Sequence, residues 1–223
     1  MSKKAVILLS GGLDSLTALA YAKNEGFECY ALHVKYGQRH ASETIAAKQI
    51  AKKYLTKEFK EVSLDMSWLT TSALTNKDIS IPIERSNGIP VTYVPARNTI
   101  MLTLALAWAE TIEASDIFLG VNAVDYSGYP DCRPEFIEAF QKVANLGTKT
   151  GVENKNLKIH TPLINLTKSE IIKLGITLDV DYSTSVSCYQ ANSEGLACGQ
   201  CDSCYLRKKG FVDAGVNDPT KYY

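Results

Sequence analysis

Residues 4–15 read KAVILLSGGLDS. After its first residue, Lys4–Leu9 is continuously apolar, the pattern of a strand buried on both faces of a parallel sheet. From Leu13 to Asn24, the residues Leu13, Leu16, Ala20 and Tyr21 recur at the spacing of one helical face. A glycine turn joins the two. Such a loop lies where an open α/β sheet holds its ligand, at the carboxyl end of a strand. Gly11 and Gly12 let backbone N–H groups approach an anion without Cβ interference. The helix N-terminus adds unpaired N–H donors and the positive end of a dipole. Ser10 and Ser15 add hydroxyl donors. Asp14 repels phosphate, which leaves it two roles: capping the helix, or holding Mg2+ bridged to phosphates. The stretch contains no lysine and matches neither GxxxxGK[ST] nor GxGxxG.

Outward from this loop the strand–helix alternation continues. Strands are expected at Glu28–Val34, Glu61–Leu64, Asp116–Val121 and Leu157–His160. Helices are expected at Ser42–Tyr54, with Ile45, Ile50 and Ala51 inward, and at Arg97–Thr111, Pro134–Asn145 and Lys168–Leu174. Pro134 suits a first helical position. Thr167 with Glu170 three residues on forms a capping pair for the last of these helices. This order implies a mostly parallel sheet flanked by helices, a Rossmann-like α/β fold. Ser67–Val91 is long, polar and proline-containing, the mark of a functional or mobile loop. The tail after Asp213 is expected to fray. His33 ends a strand near the loop, where packing is favoured over ligand binding; none of His33, His40 and His160 shows metal-ligand spacing.

The chain has 223 residues, 45% of them apolar, with 24 lysines and arginines against 24 aspartates and glutamates. This supports a core of ordinary size and, being neutral, argues against non-specific nucleic-acid binding. Met1–Lys4 lacks the apolar core of a signal peptide, and the longest apolar stretch, Thr99–Ala109, is too short to span a bilayer. A cytoplasmic protein without membrane attachment is expected. Four of six cysteines crowd into Cys188, Cys198, Cys201 and Cys204, within which CGQCDSC gives two-residue spacings. That pattern fits a metal site better than a disulfide framework. Four thiolates suit a closed tetrahedral Zn2+, with an iron–sulfur cluster as the alternative. The metal would staple the C-terminal helix, beginning near Cys204, to a strand after Asp181. Cys29 reads as packing; Cys132, in a loop on the ligand side, reads as structural. Residues 1–180 form the nucleotide-binding unit and 181–223 the cysteine segment with its helix, packed as one.

SGGLDS resembles SGGxDS, the PP-loop of the ATP pyrophosphatases. That resemblance implies a loop that grips a departing diphosphate while a substrate oxygen attacks the α-phosphorus. Lys168 and Ser169, before another helix, resemble a late lysine that neutralises the phosphates. LHVKYGQRH, VPARNTIMLTLALAWAE, GVNAVDYSGYPDCRPEF, HTPLINLTKSEI and the four-cysteine terminus follow in order. Together they resemble the 7-cyano-7-deazaguanine synthase family over nearly the whole chain; Ala96 stands where that family's VPGRN run has glycine. The resemblance implies ATP, Mg2+ and one structural Zn2+ as cofactors, 7-carboxy-7-deazaguanine, ammonia and ATP as substrates, and a homodimer. It implies adenylation of the carboxylate, amide formation and a second activation to the nitrile. Leu8, Leu9, Ser10, Gly11, Gly12, Leu13, Asp14, Ser15, Leu16, Thr17 and Ala18 would contact ATP. Cys188, Cys198, Cys201 and Cys204 would bind zinc. Asp14, Asp131 and Arg133 would act on the substrates, Arg133 by pairing with a carboxylate and Asp131 by accepting from a guanine-like edge. Arg97 and Asn98 could also face the nucleotide. The rivals are a tRNA-thiolating PP-loop enzyme, an amidotransferase-type synthetase and a zinc-ribbon binding module. The neutral charge, the cysteine terminus and the SGGLDS junction count against them in turn.

Overall fold

A computed structural model describes residues 3–37, 42–82, 88–124, 128–153 and 156–223. Five parallel strands, β1 (Lys4–Leu8), β2 (Glu28–Lys35), β3 (Glu58–Ser63), β4 (Asp116–Phe118) and β5 (Lys158–His160), form one sheet in the order β3-β2-β1-β4-β5. The order reverses direction at β1, so the crevice between the ends of β1 and β4 is the switch point at which such sheets bind ligands. His40 and the 125–127 part of the expected substrate loop lie outside the described residues.

The apolar run of β1 alternates between two cores. Val6 and Leu8 pack with Leu102, Trp108 and Phe140, from α3 (Arg97–Thr111) and α4 (Pro134–Gly147). Ala5, Ile7 and Leu9 pack with Leu16 and Leu19 of α1 (Leu13–Asn24), Ile50 of α2 (Ser42–Lys53), Ile171 of α6 (Lys168–Thr177) and Phe211 of α7 (Asp202–Ala214). Both strand faces being covered is why the sequence is continuously apolar rather than alternating. A four-residue helix, α5 (Lys149–Val152), follows α4; Thr148 caps it by accepting from Gly151 N. Cys29 is buried as packing, and burial pushes its thiol up to about 11.

Several expectations are corrected. β3 begins at Glu58, three residues earlier than its sequence suggested, because it is a half-exposed edge strand whose charges mask the apolar signal. β4 ends at Phe118 rather than Val121. Ile45 is exposed: it sits two residues, about 200°, around the helix from the fully buried Ala47. Residues 182–184 form a 3-10 turn instead of a strand. The C-terminal tail does not fray. Ala197 pairs with Tyr222 as an isolated bridge, and Asp218 accepts from Arg207 Nε at 3.1 Å and from the Tyr222 hydroxyl at 2.6 Å. The expected long loop is built of turns, and its Ala73, Leu74 and Ile81 pack in one cluster with the four cysteines. No described helix is long and apolar enough to cross a membrane.

The residue before α3 carries a local strain. Ala96 sits at φ 54° and ψ 23°, in the left-handed region that disfavours a Cβ. Ala96→Gly is therefore expected to stabilise the protein by about 0.5–1 kcal/mol, read as a higher urea midpoint at an unchanged slope. A lower midpoint would mean that the methyl packs usefully.

Candidate active site and cysteine centre

The cavity lies at the carboxyl ends of β1, β2 and β4, with a volume of about 220 Å3. Two glycines bring its walls together. Gly11, at φ +94°, lies against α2, and a Cβ there would overlap the Glu43 carbonyl oxygen and stand 3.0 Å from Ala47 N. Gly120, just past β4, lies against the first turn of α1; a Cβ would stand 2.8 Å from the Asp14 carbonyl and 2.9 Å from Ser15 N. Such contacts are too close for any side chain, so both positions require glycine.

The loop is preorganised by its own hydroxyls. Ser15 Oγ donates to Gly12 O at 3.0 Å and accepts from Ser10 N at 3.2 Å, while Ser10 Oγ accepts from Gly12 N at 3.2 Å. Ser187 Oγ accepts from Leu13 N at 3.2 Å, and Val186 N donates to Gly11 O at 2.9 Å, so the segment preceding Cys188 braces the loop. His33 is wholly buried and bonds Leu9 O through Nδ1 at 2.9 Å and Thr44 Oγ1 through Nε2 at 3.0 Å. Nδ1 therefore carries the proton and Nε2 accepts. Burial holds the ring's pKa below its usual value. His33 thus ties the loop's strand to the first turn of α2, which is the packing role.

Leu8, Leu9, Ser10, Gly12, Leu13, Asp14 and Ser15 line the cavity. Leu16 and Ala18 are buried in the core behind it, and Thr17 Oγ1 bonds the Leu13 carbonyl and the Tyr182 hydroxyl. Lys168 is not a surface residue. Its side chain is 7% exposed, and Nζ donates to both oxygens of Asp14 at 2.6 and 2.7 Å. The Thr167–Glu170 capping box fixes the start of α6 and hence the lysine's origin. Asp14 presents hard carboxylate oxygens at the cavity wall, which fits Mg2+ better than a softer metal.

A second, aromatic and amphipathic set, Tyr36, Arg97, Asn98, Met101, Tyr129 and Cys132, also lines the cavity. Arg97 Nη1 donates to the Tyr36 hydroxyl at 3.1 Å. Asp131 is 5% exposed, and its carboxylate accepts from Asn98 N at 2.9 Å, at the N-terminus of α3. Asn98 Nδ2 donates to Asp131 O at 3.1 Å and lies 3.2 Å from Cys132 Sγ. Asp131 is thus engaged in anchoring its loop to α3. Burial pushes the Cys132 thiol up to about 11, which makes it a poor nucleophile. Arg133 is exposed at the start of α4 and does not line the cavity. Its carbonyl accepts the first N–H bonds of that helix, from Phe136 and Ile137, and the side chain stays outside. The structure brings Arg97 into the cavity instead. Sequence reading also missed Ser42, Glu43, Leu74 and the stretch Val186–Tyr189. Tyr36 had a usable signal: it directly follows β2, at the ligand end of the sheet.

The four cysteine sulfurs lie within 4.8 Å of one another and all four residues are buried. Cys188 and Cys201 sulfurs are 4.0 Å apart, as are those of Cys198 and Cys204. A tetrahedral ion with ~2.3 Å bonds to sulfur spaces its ligands about 3.8 Å apart, so the group fits one thiophilic ion and is too tight for a multi-iron cluster. Gln190 N and Cys198 N donate to Cys188 Sγ, each at 3.2 Å, which supports a thiolate. Cys188 also lines the cavity, so the centre forms part of its wall.

The family model described as queuosine biosynthesis protein QueC matches residues 4–215. The 7-cyano-7-deazaguanine synthase of Saccharophagus degradans is 62% identical over 221 residues, covering 99% of this chain and 98% of its own. The like-named protein of Cellvibrio japonicus is 59% identical over 220 residues, with the same two coverages, 99% and 98%. Among solved structures, a 4-thiouridine synthetase in complex with RNA and bound ATP aligns with a TM-score of 0.54 at 17% identity, covering 96% of this chain and 50% of that one. The NMN synthetase of Francisella tularensis aligns with a TM-score of 0.52 at 19% identity, covering 97% and 79%. These two likenesses concern the fold, a PP-loop sheet with its helices. By the extent of the family match and the identity of its relatives, the chain belongs to the family of the queuosine biosynthesis protein QueC.

Proposed function

We propose that this protein is an ATP-dependent enzyme that makes 7-cyano-7-deazaguanine from 7-carboxy-7-deazaguanine and ammonia, consuming two ATP and releasing two AMP and two diphosphates. The observation that carries this reading is one cavity lined by two unlike sets of residues. One set is the Ser10–Ser15 loop with the Asp14–Lys168 pair; the other is Tyr36, Arg97, Met101 and Tyr129. The first suits phosphates, the second a flat, hydrogen-bonding ring.

A carboxylate oxygen of the substrate attacks the α-phosphorus of ATP, and the bond to the β,γ-diphosphate breaks. Loop N–H groups, the Ser10 hydroxyl and Lys168 take up the charge on the leaving group, while Ser15 Oγ, spent on the Gly12 carbonyl, shapes the loop. Ammonia displaces AMP from the acyl adenylate to give the amide. The amide oxygen is then adenylated in turn, and loss of AMP with two protons leaves the nitrile. Asp14 would hold Mg2+, which when bound would supply charge neutralisation on the phosphates. Arg97, which lines the cavity where the exposed Arg133 does not, is assigned in this reading to pair with the substrate carboxylate. Cys188, Cys198, Cys201 and Cys204 would hold one Zn2+, and four protein ligands would leave it no open position and a structural role. A homodimer through α4 and α5 belongs to the same reading, since Val143, Leu146 and Val152 are exposed apolar residues there. The test is mass spectrometry of a reaction supplied with ATP, ammonium and the carboxylic acid. The nitrile mass with wild-type protein supports the reading; unchanged acid, under conditions that support its relatives, contradicts it.

A further inference from the structure

A glycine inside α7 has no turn to make. Gly210 lies within Asp202–Ala214, where glycine costs about 1 kcal/mol relative to alanine. It is buried, and the space its side chain would fill is taken by Lys168 and Ile172. A Cβ built on Gly210 would overlap Lys168 Cγ, stand 2.9 Å from Lys168 Cβ and 3.0 Å from Ile172 Cδ1. Lys168 is the residue whose ammonium reaches both oxygens of Asp14. Its stem therefore crosses α7 only because position 210 has no side chain.

We infer that Gly210 is a positioning residue for the phosphate end of the cavity, setting the path of the Lys168 stem and hence the place of its ammonium. The inference rests on the proposed role of Lys168 in diphosphate departure. Lys168 is the first residue of α6, and its backbone is fixed by the capping box, so the freedom left to it is in its side-chain torsions. Packing against α7 removes that freedom. α7 is preceded by Cys201 at its N-cap and carries Cys204 in its first turn, both within the cysteine centre, so the helix cannot slide away from the lysine without disturbing that centre. The chain of contact runs from the cysteines through Gly210 and Lys168 to Asp14 and the loop.

A Cβ at position 210 should displace the ammonium by about 1 Å, a misplacement that can cost about a hundredfold in rate. Stability should change little, because the gain in helix propensity opposes the crowding. Gly210→Ala is therefore expected to lower kcat/KM for ATP tenfold to a hundredfold, mainly in kcat, with the melting temperature near that of wild type. The decisive readout is a cycle with Lys168→Ala. Once the stem is gone, Gly210→Ala should change kcat/KM by less than about twofold. Should Gly210→Ala fold poorly, Ile172→Val/Gly210→Ala removes Cδ1, leaves room for the helices and keeps the stem displaced, and the same kinetic loss is expected. Equal losses from Gly210→Ala with and without the lysine would overturn the inference, as would wild-type kcat/KM in Gly210→Ala. Wild-type kcat/KM in Lys168→Ala would remove the premise and the inference together. Failure of wild-type protein to form AMP would instead remove the proposed function, an outcome separable because it needs no variant.

Discussion

Lys168→Met is expected to lower kcat/KM for ATP by about 10^2 to 10^3 while the protein stays folded. Methionine keeps an unbranched stem over Gly210 and removes only the charge. In the wild-type protein the ammonium is buried against Asp14, in a setting where solvent screens it poorly and its field on departing phosphates is large. Its removal leaves Asp14 facing the phosphates without its partner cation, so the loss should fall on the step in which charge develops on the leaving group. Asp14 keeps 20% exposure and can hydrate, so the stability loss should be about 1–3 kcal/mol, short of that for a wholly buried pair. Steady-state kinetics and urea unfolding on the same preparation check both parts. A kcat/KM within about threefold of wild type would show that the pair is a structural clamp.

Cys201→Ser should lose most of its bound metal and unfold tens of degrees earlier. The four cysteines sit in the third apolar cluster with Ala73, Leu74, Ile81 and Val94, so the centre holds together three stretches distant in sequence. Structural zinc contributes folding free energy outright, on the order of 10 kcal/mol in isolated zinc fingers. Cys188 lines the cavity and the neighbouring Val186 and Ser187 brace the loop, so activity should fall with metal content. Elemental analysis alongside thermal unfolding tests this. Wild-type zinc content and melting temperature in the variant would show that Cys201 is not a ligand.

The sheet was legible because β1 and β2 are buried on both faces, so β1 carries an unbroken apolar run and β2 one interrupted only by His33, and because each following helix keeps its period. The edge strand β3 was legible only in part, since charge at Glu58, Lys60 and Glu61 hides Phe59 and Val62. The phosphate end could be read locally: loop, helix start and cysteine spacing are short-range patterns. The ring end could not. Tyr36, Met101 and Tyr129 come together only when two loops and α3 pack over the sheet, and no spacing encodes that. Arg133 and Arg97 show the limit most clearly. Both precede or begin a helix on the ligand side, and no local pattern separates Arg97, which lines the cavity, from Arg133, which does not. The tail misled for a related reason: its polar composition conceals Asp218 and Tyr222, whose partners lie on α7 and beside Cys198.

The central claim is that the loop holds a diphosphate that departs, not a γ-phosphate that transfers. Ion-exchange chromatography of the nucleotides, with the nitrile quantified in the same samples, tests it most directly. Two AMP and two diphosphates per nitrile, rising in step with it, are predicted. ADP and inorganic phosphate rising in step with the nitrile would contradict it.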